Sequence, residues 1–271
     1  MSEARVPIIV AGAAGRMGRM LLALAARDPS LRLVGALEAA GNPELGKDAG
    51  LLAGSGAAGV VVTDSLERCA VAGAVLIEFT VPEASLAHLR AAAGLGVSMV
   101  LGTTGFTAAE QGEVARLAER VACLQAPNMS VGVTLLEKVV EEVSRRLGGS
   151  FDIEVVEMHH RMKKDAPSGT ALALARSAAR GRETDLESRA VYGRQGITGE
   201  RPHGQIGVMS LRGGDVVGDH TVIFAGTGER IEITHRAQSR EAFAAGALRG
   251  ARWLAGRGPG LYGMREVMGL G

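Results

Sequence analysis

Residues 159 to 170 carry the side chains with the greatest capacity for chemistry. Five of the six residues from His159 to Lys164 can carry a positive charge, and Ser168-Gly169-Thr170 follows where a helix is predicted to begin. Backbone N–H groups at a helix start attract anions, and a cationic loop beside them makes a local pocket for carboxylates. Histidine and lysine can both transfer protons near neutral pH. The segment therefore predicts an acid–base site for a substrate with more than one carboxylate.

Two other interpretations of this segment stay open. A run of charges is commonly a solvated surface. Adjacent histidines can also ligate zinc, but the sequence has no further Cys, His or carboxylate at a suitable spacing, so no metal is predicted. His159 and His160 are neighbours at a strand end, where successive side chains point to opposite faces, so we expect them to do different jobs.

A glycine-rich turn near the N-terminus predicts a second site. Gly12-Ala13-Ala14-Gly15-Arg16-Met17-Gly18 joins a predicted strand to a predicted helix, and Glu38 stands at the end of the next strand. Glycines let the backbone approach a pyrophosphate, and a carboxylate at that distance accepts the adenosine ribose hydroxyls. The spacing is looser than the usual dinucleotide fingerprint, and glycines also mark ordinary turns. The prediction of dinucleotide binding therefore depends on this strand–turn–helix context.

Two further loops and the residues after Glu38 extend this prediction. Gly102-Thr103-Thr104-Gly105 and Ala126-Pro127-Asn128-Met129 each follow a strand, and ligands of open α/β sheets bind beyond the carboxyl ends of the strands. Both loops should therefore flank the nicotinamide, although turn chemistry alone explains such residues too. Ala39 and Ala40 offer no cation for a 2′-phosphate, which favours NADH over NADPH, while nearby Arg16 would weaken the preference.

The elements that position these residues fall into two patterns. In the first half, apolar strands alternate with amphipathic helices, which predicts βαβ units and a parallel sheet. Later strands follow one another without intervening helices, which predicts a mixed or antiparallel sheet. The predicted strands are 7–11, 31–37, 60–62, 74–79, 98–101, 122–125, 151–159, 206–212, 216–225 and 230–236. The predicted helices are 16–27, 82–93, 108–120, 131–147, 169–180 and 240–255, and 41–59 is predicted to be irregular.

Composition narrows the classes of function. The net charge is +1 and aromatic residues are 3% of the chain, so neither nucleic acid nor an anionic membrane is an expected partner. Cys69 and Cys123 have apolar neighbours and are predicted to be buried, reduced thiols. The N-terminal residues carry no targeting pattern, so we expect a cytoplasmic protein.

The chain resembles the dihydrodipicolinate reductase (4-hydroxy-tetrahydrodipicolinate reductase) family over essentially its whole length. The segment from His159 to Thr170 is the most specific part of the resemblance, and the glycine-rich turn is the least specific. The other motifs that carry it are Glu78-Phe79-Thr80, Gly102 to Phe106, Ala126 to Val133, Gly199-Glu200-Arg201, Gly214 to Gly218 and Ile233-Thr234-His235.

The resemblance implies an α/β fold with two domains. A Rossmann-like dinucleotide-binding domain would comprise residues 1–129 plus 240–271, and an α+β domain of residues 130–239, with a mixed sheet, would bind substrate and form a homotetramer. The implied reaction is the loss of water from 4-hydroxy-tetrahydrodipicolinate and hydride transfer from NADH or NADPH, on the diaminopimelate route to lysine.

The resemblance also implies roles for individual residues. His159 would act as acid or base and Lys163 as proton donor. The carboxylates of a small cyclic substrate would be held by His160, by Ser168 and by the Gly169-Thr170 backbone. The cofactor would contact Gly12 to Met17, Glu38, Gly102 to Thr104 and Ala126 to Met129. The sequence departs from the family at Ala39, where members that accept both cofactors often carry Arg, and at Met162, where some have a third histidine.

Two rival functions can be weighed against this one. A semialdehyde dehydrogenase needs a nucleophilic thiol, and neither cysteine follows a glycine-rich helix start or has a strongly basic setting. A non-catalytic sensor that binds NAD(H) and reports to a protein partner would not need the residues from His159 to Thr170.

Overall fold

The structure, a computed structural model, describes residues 5–270 and divides into two compact units. One unit comprises residues 5–130 together with Glu241–Gly269, and the other comprises Val131–Arg240. In chain order the elements are β1 (Val6–Ala11), α1 (Arg16–Ala25), β2 (Leu31–Leu37), α2 (Ala49–Leu52), β3 (Val62–Thr63), β4 (Val75–Glu78), α3 (Pro82–Leu95), β5 (Ser98–Leu101), α4 (Ala108–Ala118), β6 (Ala122–Gln125), α5 (Val131–Leu147), β7 (Asp152–His159), α6 (Gly169–Gly181), β8 (Ala190–Val191), β9 (Ile206–Arg212), β10 (Gly218–Ala225), β11 (Arg230–Ala237), α7 (Glu241–Leu254), β12 (Gly260–Tyr262) and α8 (Met264–Val267).

The first unit is built on a parallel sheet of seven strands in the order β12-β6-β5-β4-β1-β2-β3. The chain runs outward from β1 to β3, then returns to the other side of β1 and continues through β4, β5 and β6. The strand order therefore reverses between β1 and β4, which is where open α/β sheets bind ligands. This confirms the predicted parallel sheet with a Rossmann-like arrangement.

Apolar strands buried on both faces explain why this sheet forms. Ile9, Leu76 and Met99 pack with buried residues of α3 and α4 on one face. On the other face α7 packs on β4, β5 and β6, and its Gly250 lies against Leu124. Helix α3 begins with Pro82 in its first turn and ends at Gly96, which has a left-handed φ of +69°.

The second unit contains a mixed sheet of five strands in the order β11-β10-β7-β9-β8, which confirms the expected mixed sheet. Strand β7 pairs antiparallel with β10 and parallel with β9. One face packs against α5 and α6, with Phe224, Val155 and Leu174 fully buried. The opposite face bears partly exposed apolar side chains, among them Val156, Met209 and Ile223.

The predicted elements differ from the structure in a few places. Strand β10 begins at Gly218 rather than at residue 216, because the preceding turn is bonded elsewhere: the carbonyl of Val216 accepts the His160 N–H at 2.7 Å. The stretch from 41 to 59 includes the short helix α2, which Asp48 caps by accepting from Gly50 and Leu51. Among residues 5–270, no helix combines the length and apolar character that crossing a membrane requires.

Candidate active site

One face of the second sheet changes from apolar to polar along β7. Side chains two residues apart on a strand share a face, so Glu157 and His159 continue the row begun by Ile153 and Val155. The neighbouring strands β9 and β10 also become polar at the positions that pair with this part of β7. His220 of β10 lies opposite Glu157, and Arg212 of β9 lies opposite His159. The buried face of this sheet thus ends in a cluster of ionisable groups at the carboxyl end of β7.

Glu157 is the centre of this cluster and is fully buried. Its carboxylate accepts two hydrogen bonds from Arg212, Nη1 to Oε2 at 2.8 Å and Nη2 to Oε1 at 2.9 Å. It also contacts His159 Nδ1 at 2.6 Å and accepts the Ser168 N–H at 3.1 Å. Burial raises the pKa of Glu157, but the hydrogen bonds from Arg212 and His159 outweigh it and bring the pKa to about 2. The buried carboxylate is therefore ionised at neutral pH.

His159 is held by this carboxylate on one side and approached by the backbone of Gly218 on the other. The residue is only 8% exposed, and a Cβ placed on Gly218 would stand 3.0 Å from its Nε2. The absence of a side chain at residue 218 therefore lets the strand pass close to Nε2 without covering it. With Nδ1 turned to Glu157, Nε2 is the nitrogen of His159 that can exchange a proton with a ligand.

His220 is a second buried imidazole next to His159. The two rings meet edge to face with centroids 5.1 Å apart, and His220 Nε2 lies 3.0 Å from the Ser168 hydroxyl oxygen. Burial, and after it the charge of His159, lowers the pKa of His220 to about 4. His220 is therefore neutral near pH 7. Its contact with the Ser168 hydroxyl helps to hold Ser168 in place.

The cationic loop after β7 is tied to the same cluster. Lys163 Nζ donates to Asp165 Oδ1 at 2.8 Å, and the Asp165 carbonyl accepts from Arg212 Nη2 at 2.6 Å. The hydrogen bond from Lys163 lowers the pKa of Asp165. The ring Nδ1 of His160 is buried and has no hydrogen-bond partner among residues 5–270, so it is a polar atom that a ligand could satisfy.

The start of α6 is where the sequence predicts an anion site. Ser168 is the N-cap, its hydroxyl oxygen accepting the Ala171 N–H at 3.1 Å. Its backbone N–H is bonded to Glu157 and its hydroxyl also contacts His220, so the polar groups of Ser168 are used within the protein. Gly169 and Thr170 form the first turn, and a Cβ on Gly169 would meet nothing within 4 Å. The first turn is therefore not covered at Gly169.

The structure thus brings His159, Lys163 and Ser168 into one bonded network, and it adds three residues to which the sequence prediction assigned no role. These are Glu157, Arg212 and His220. A signal for Glu157 was available, because it stands two residues before His159 on a predicted strand. Arg212 and His220 lie on other strands, and their strand register cannot be inferred from the sequence.

The glycine-rich turn of the first unit lies at the reversal between β1 and β4. Gly12 has a left-handed φ of +63°, and a Cβ there would come within 2.9 Å of Thr80 Cγ2. A Cβ on Gly18 would come within 2.1 Å of the Gly12 carbonyl oxygen. Helix α1 begins at Arg16, and Gly15 gives its first turn no side-chain cap. Tight backbone approach and an uncapped helix start both fit a bound pyrophosphate.

Glu38 closes over the same turn from the end of β2. Its Oε1 accepts the Ala14 N–H at 2.8 Å, and its Oε2 accepts from the side chain of Asn42 at 2.9 Å. Ala39 and Ala40 follow it and are exposed. The carboxylate of Glu38 thus stands at the end of β2 beside the glycine-rich turn, where the sequence predicts the ribose hydroxyls, and two small exposed residues follow it.

The two other predicted cofactor loops also follow parallel strands of this sheet. Gly102, Thr103 and Thr104 come directly after β5, and buried Thr103 accepts a hydrogen bond from Ser85 at 2.8 Å between hydroxyl oxygens. Residues Ala126, Pro127, Asn128 and Met129 come directly after β6, and Asn128 Oδ1 accepts the Ser130 N–H at 2.8 Å. These loops thus end at the same edge of the sheet as the glycine-rich turn.

Neither thiol is suited to nucleophilic catalysis. Cys69 and Cys123 are free and buried. Burial raises the pKa of Cys69, and it raises the pKa of Cys123 to about 12. A semialdehyde dehydrogenase would need a thiol that ionises near neutral pH. Within residues 5–270, His, Cys, Asp and Glu form no group of three or more that could hold a metal ion.

Two family models and many known proteins match this chain. The N-terminal model of dihydrodipicolinate reductase matches residues 6–129, and the C-terminal model matches residues 132–268. The 4-hydroxy-tetrahydrodipicolinate reductase of Thiobacillus denitrificans is 52% identical, covering 98% of this chain and 99% of the relative. The reductase of the same name from Anaeromyxobacter dehalogenans is 51% identical, covering 97% of each chain.

Solved structures agree on the fold. A dipicolinate-bound dihydrodipicolinate reductase from Paenisporosarcina sp. TG-14 superposes with a TM-score of 0.75 at 24% sequence identity, covering 97% of this chain and 98% of that one. At about half identity over nearly the whole chain, and with both family models matched, this protein belongs to the dihydrodipicolinate reductase family.

Proposed function

We propose that this protein reduces 4-hydroxy-tetrahydrodipicolinate to tetrahydrodipicolinate, with loss of water, on the diaminopimelate route to lysine. The net reaction takes one hydride and one proton and releases one water. The observation that carries the proposal is the ionised Glu157 on His159, in a segment that also bears Lys163 and opens α6, in a chain half identical to reductases of that name.

The roles of the second unit follow from charge and proton transfer. The N-terminus of α6 at Gly169 and Thr170, together with His160, binds the carboxylates of a small cyclic substrate, because helix starts and cationic side chains attract anions. His159 exchanges a proton at Nε2, and Lys163 donates a proton to the substrate as hydride arrives. One positioned proton donor accelerates such a step by roughly 10²–10⁴-fold. Ser168 acts as the cap that fixes the helix start.

A nicotinamide dinucleotide supplies the hydride. Gly12 to Met17 would hold its pyrophosphate and Glu38 its adenosine ribose, while Gly102 to Thr104 and Ala126 to Met129 would border the nicotinamide half. NADH is the preferred form, because Glu38 would repel a 2′-phosphate and Ala39 provides no cation to offset it. Arg16 is exposed and can pair with the 2′-phosphate of NADPH, so NADPH is bound too, but more weakly than NADH.

The protein acts in the cytoplasm as a homotetramer, without nucleic acid or membrane as partner. Support for self-association comes from the outer face of the second sheet, where apolar side chains are partly exposed. Leu211 on that face is 50% exposed. Contiguous apolar surface of this kind is typical of protein interfaces.

The test is turnover by purified protein supplied with NADH and the condensation product of pyruvate and aspartate semialdehyde. We expect oxidation of NADH that depends on the condensation product, and a lower KM for NADH than for NADPH.

Replacing Glu38 by Gln should weaken NADH binding about tenfold and narrow the difference in KM between NADH and NADPH, since hydrogen bonds to charged groups contribute about 1.5–3 kcal/mol. Glu67→Gln is the matched control, because Glu67 is an exposed carboxylate that accepts a hydrogen bond from Ser65 of its own loop. Binding of NADH without turnover would support the sensor function instead.

A further inference from the structure

We propose that Glu157, held by Arg212, is the positioning residue that sets the proton-bearing nitrogen of His159 and ties it to the anion-binding end of α6. The inference rests on the proposed function for its kinetic consequences only. The structural evidence is that the buried carboxylate of Glu157 contacts residues of three elements: His159 on β7, Arg212 on β9 and Ser168 at the start of α6.

The tautomer of His159 is set by its contact with Glu157. A neutral imidazole has one N–H and one lone pair, and the hydrogen bond of one nitrogen decides which is which. Glu157 is ionised and can only accept, so the 2.6 Å contact to His159 Nδ1 requires that this nitrogen carry the hydrogen. The lone pair is then at Nε2, on the side of the ring where Gly218 places no side chain. A proton taken up at Nε2 gives an imidazolium that the same carboxylate stabilises.

Arg212 keeps this buried carboxylate charged and in place. A buried carboxylate is costly unless it is paired and hydrogen-bonded. Arg212 meets both oxygens of Glu157 in the forked geometry that is strongest for this pair. Its Nη2 also donates to the Asp165 carbonyl, and Asp165 is the partner of Lys163. Arg212 therefore keeps Glu157 charged and connects the loop that carries Lys163 to the strand that carries His159.

Glu157 also holds the start of α6. It accepts a hydrogen bond from the Ser168 N–H, one residue before the helix starts. A shift of the carboxylate would therefore move His159 and the helix start together. Small displacements of reacting groups cost rate steeply, so a shared anchor keeps the proton-exchanging nitrogen and the carboxylate-binding N–H groups in fixed relation.

The charged and titratable groups around His159 come from several elements. Arg212 is on β9, His220 is on β10, and Lys163 and Asp165 are on the loop after β7. His235 on β11 lies opposite His220. Burial lowers the pKa of His235 and, more strongly, that of His220. Both are neutral near pH 7. A change in the pH–rate profile on substitution of Glu157 would therefore report on His159 or Lys163.

The experiment compares Glu157→Gln with Glu157→Asp and with the control Glu154→Gln. Glu154 lies three residues before Glu157 on β7, on the opposite face, and its carboxylate is also paired with arginines, Arg194 and Arg201. Kinetics are measured as kcat and KM for the substrate across pH, together with Kd for NADH. Nitrogen-15 NMR of the histidine rings, with His159→Asn to assign the signal, reports which nitrogen carries the hydrogen.

We expect Glu157→Gln to lower kcat roughly 10–100-fold, as loss of an orienting partner does at other imidazoles. Removing the negative charge disfavours the imidazolium, so the limb of the pH–rate profile that reports its proton loss should move to lower pH. Glu157→Asp should recover part of both effects. Glu154→Gln should leave kcat and the profile unchanged, and Kd for NADH should stay the same in all variants.

In the NMR experiment the wild-type protein should show neutral His159 with its hydrogen on Nδ1, and Glu157→Gln a mixture of the two forms. The inference is overturned if the tautomer and the pH profile of Glu157→Gln match those of the wild type, even if KM rises. The NMR result does not require turnover. If the wild type fails to reduce the condensation product while the tautomer depends on Glu157, the proposed function fails and the inference holds.

Discussion

At the scale of single residues, the reactive side of His159 depends on a side chain that is missing. Gly218 has an ordinary backbone conformation, so conformational freedom does not explain why it is glycine. Its role is spatial, because a Cβ there would stand 3.0 Å from Nε2 and 3.4 Å from Cδ2 of His159. A methyl group at that position would push the ring away or cover its open nitrogen.

We therefore expect Gly218→Ala to lower kcat about 10²-fold, the scale of loss produced by a displacement of about 1 Å. Kd for NADH should not change, because the cofactor residues belong to the other unit. Gly193→Ala is the matched control in the same unit, since a Cβ there would meet nothing within 4 Å. Normal turnover by Gly218→Ala would contradict the placement of Nε2 on the reactive side.

The depressed pKa of Glu157 predicts how stability depends on pH. Its pKa is about 2 in the folded protein against an ordinary 4.5, so the folded state binds this proton less readily than the unfolded state does. The contribution to stability is complete above about pH 4.5 and is lost as pH falls toward 2.

Urea unfolding followed from pH 7 to pH 3 should therefore show the difference in unfolding free energy between wild type and Glu157→Gln narrowing below pH 4.5. A difference that stays constant over this range would show that the carboxylate is not preferentially ionised in the folded state.

At the scale of elements, α7 can lie close to the first sheet only because it carries glycines on its inner side. A Cβ on Gly246 would come within 1.8 Å of the Met129 carbonyl oxygen, a backbone atom that cannot move aside cheaply. The loop that contains Met129 is one of the proposed cofactor loops. The packing of this helix therefore sets the position of residues that would contact the nicotinamide.

We expect Gly246→Ala to destabilise the protein by about 1–3 kcal/mol, the usual cost of overpacking, and to weaken NADH binding. Gly112→Ala on α4 is the matched control. Gly112 is exposed and a Cβ there would touch nothing within 4 Å, so the same substitution should stabilise by roughly 0.5–1 kcal/mol. Chemical denaturation measures the change in unfolding free energy of each variant. If both substitutions stabilised the protein, or both destabilised it, the packing argument would be refuted.

The elements also show what sequence patterns can predict. The mainly apolar runs at 31–37, 98–101 and 122–125 predict strands with the bounds of β2, β5 and β6, because a strand that is largely buried on both faces is mostly apolar. Strand β12 has three residues and no such pattern, and only its pairing with β6 makes it a strand. The residues of β12 therefore do not by themselves predict this pairing with a strand that is distant in the sequence.

The site divides in the same way. His159, Lys163 and the start of α6 are neighbours in sequence, so their types and spacing predict an acid–base site. The bond from Arg212 to Glu157 joins residues on parallel strands far apart in the chain, and it depends on strand register. The sequence prediction treats Ser168 as a substrate ligand, while the structure commits its polar atoms to Glu157, Ala171 and His220.

At the scale of the whole molecule, the open face of the second sheet predicts self-association. We expect light scattering on the purified protein to give the mass of four chains. Replacing Leu211 by Lys should shift the population to smaller species, because a charge would be buried in the contact. Leu51→Lys, at a residue 64% exposed in the other unit, is the control. A wild-type protein that is monomeric at micromolar concentration would rule out the tetramer.

The path of the chain also bears on how the protein is made. The nucleotide-binding unit consists of residues 5–130 and Glu241–Gly269, and β12 joins its sheet beside β6. A ribosome therefore completes all of the second unit before it releases the last strand and helices of the first. Domains usually fold in the order of synthesis, yet here the earlier stretch must wait with the edge of β6 exposed. Loss of β12 and α8, by an early stop or by proteolysis, would thus damage the first unit and spare the second.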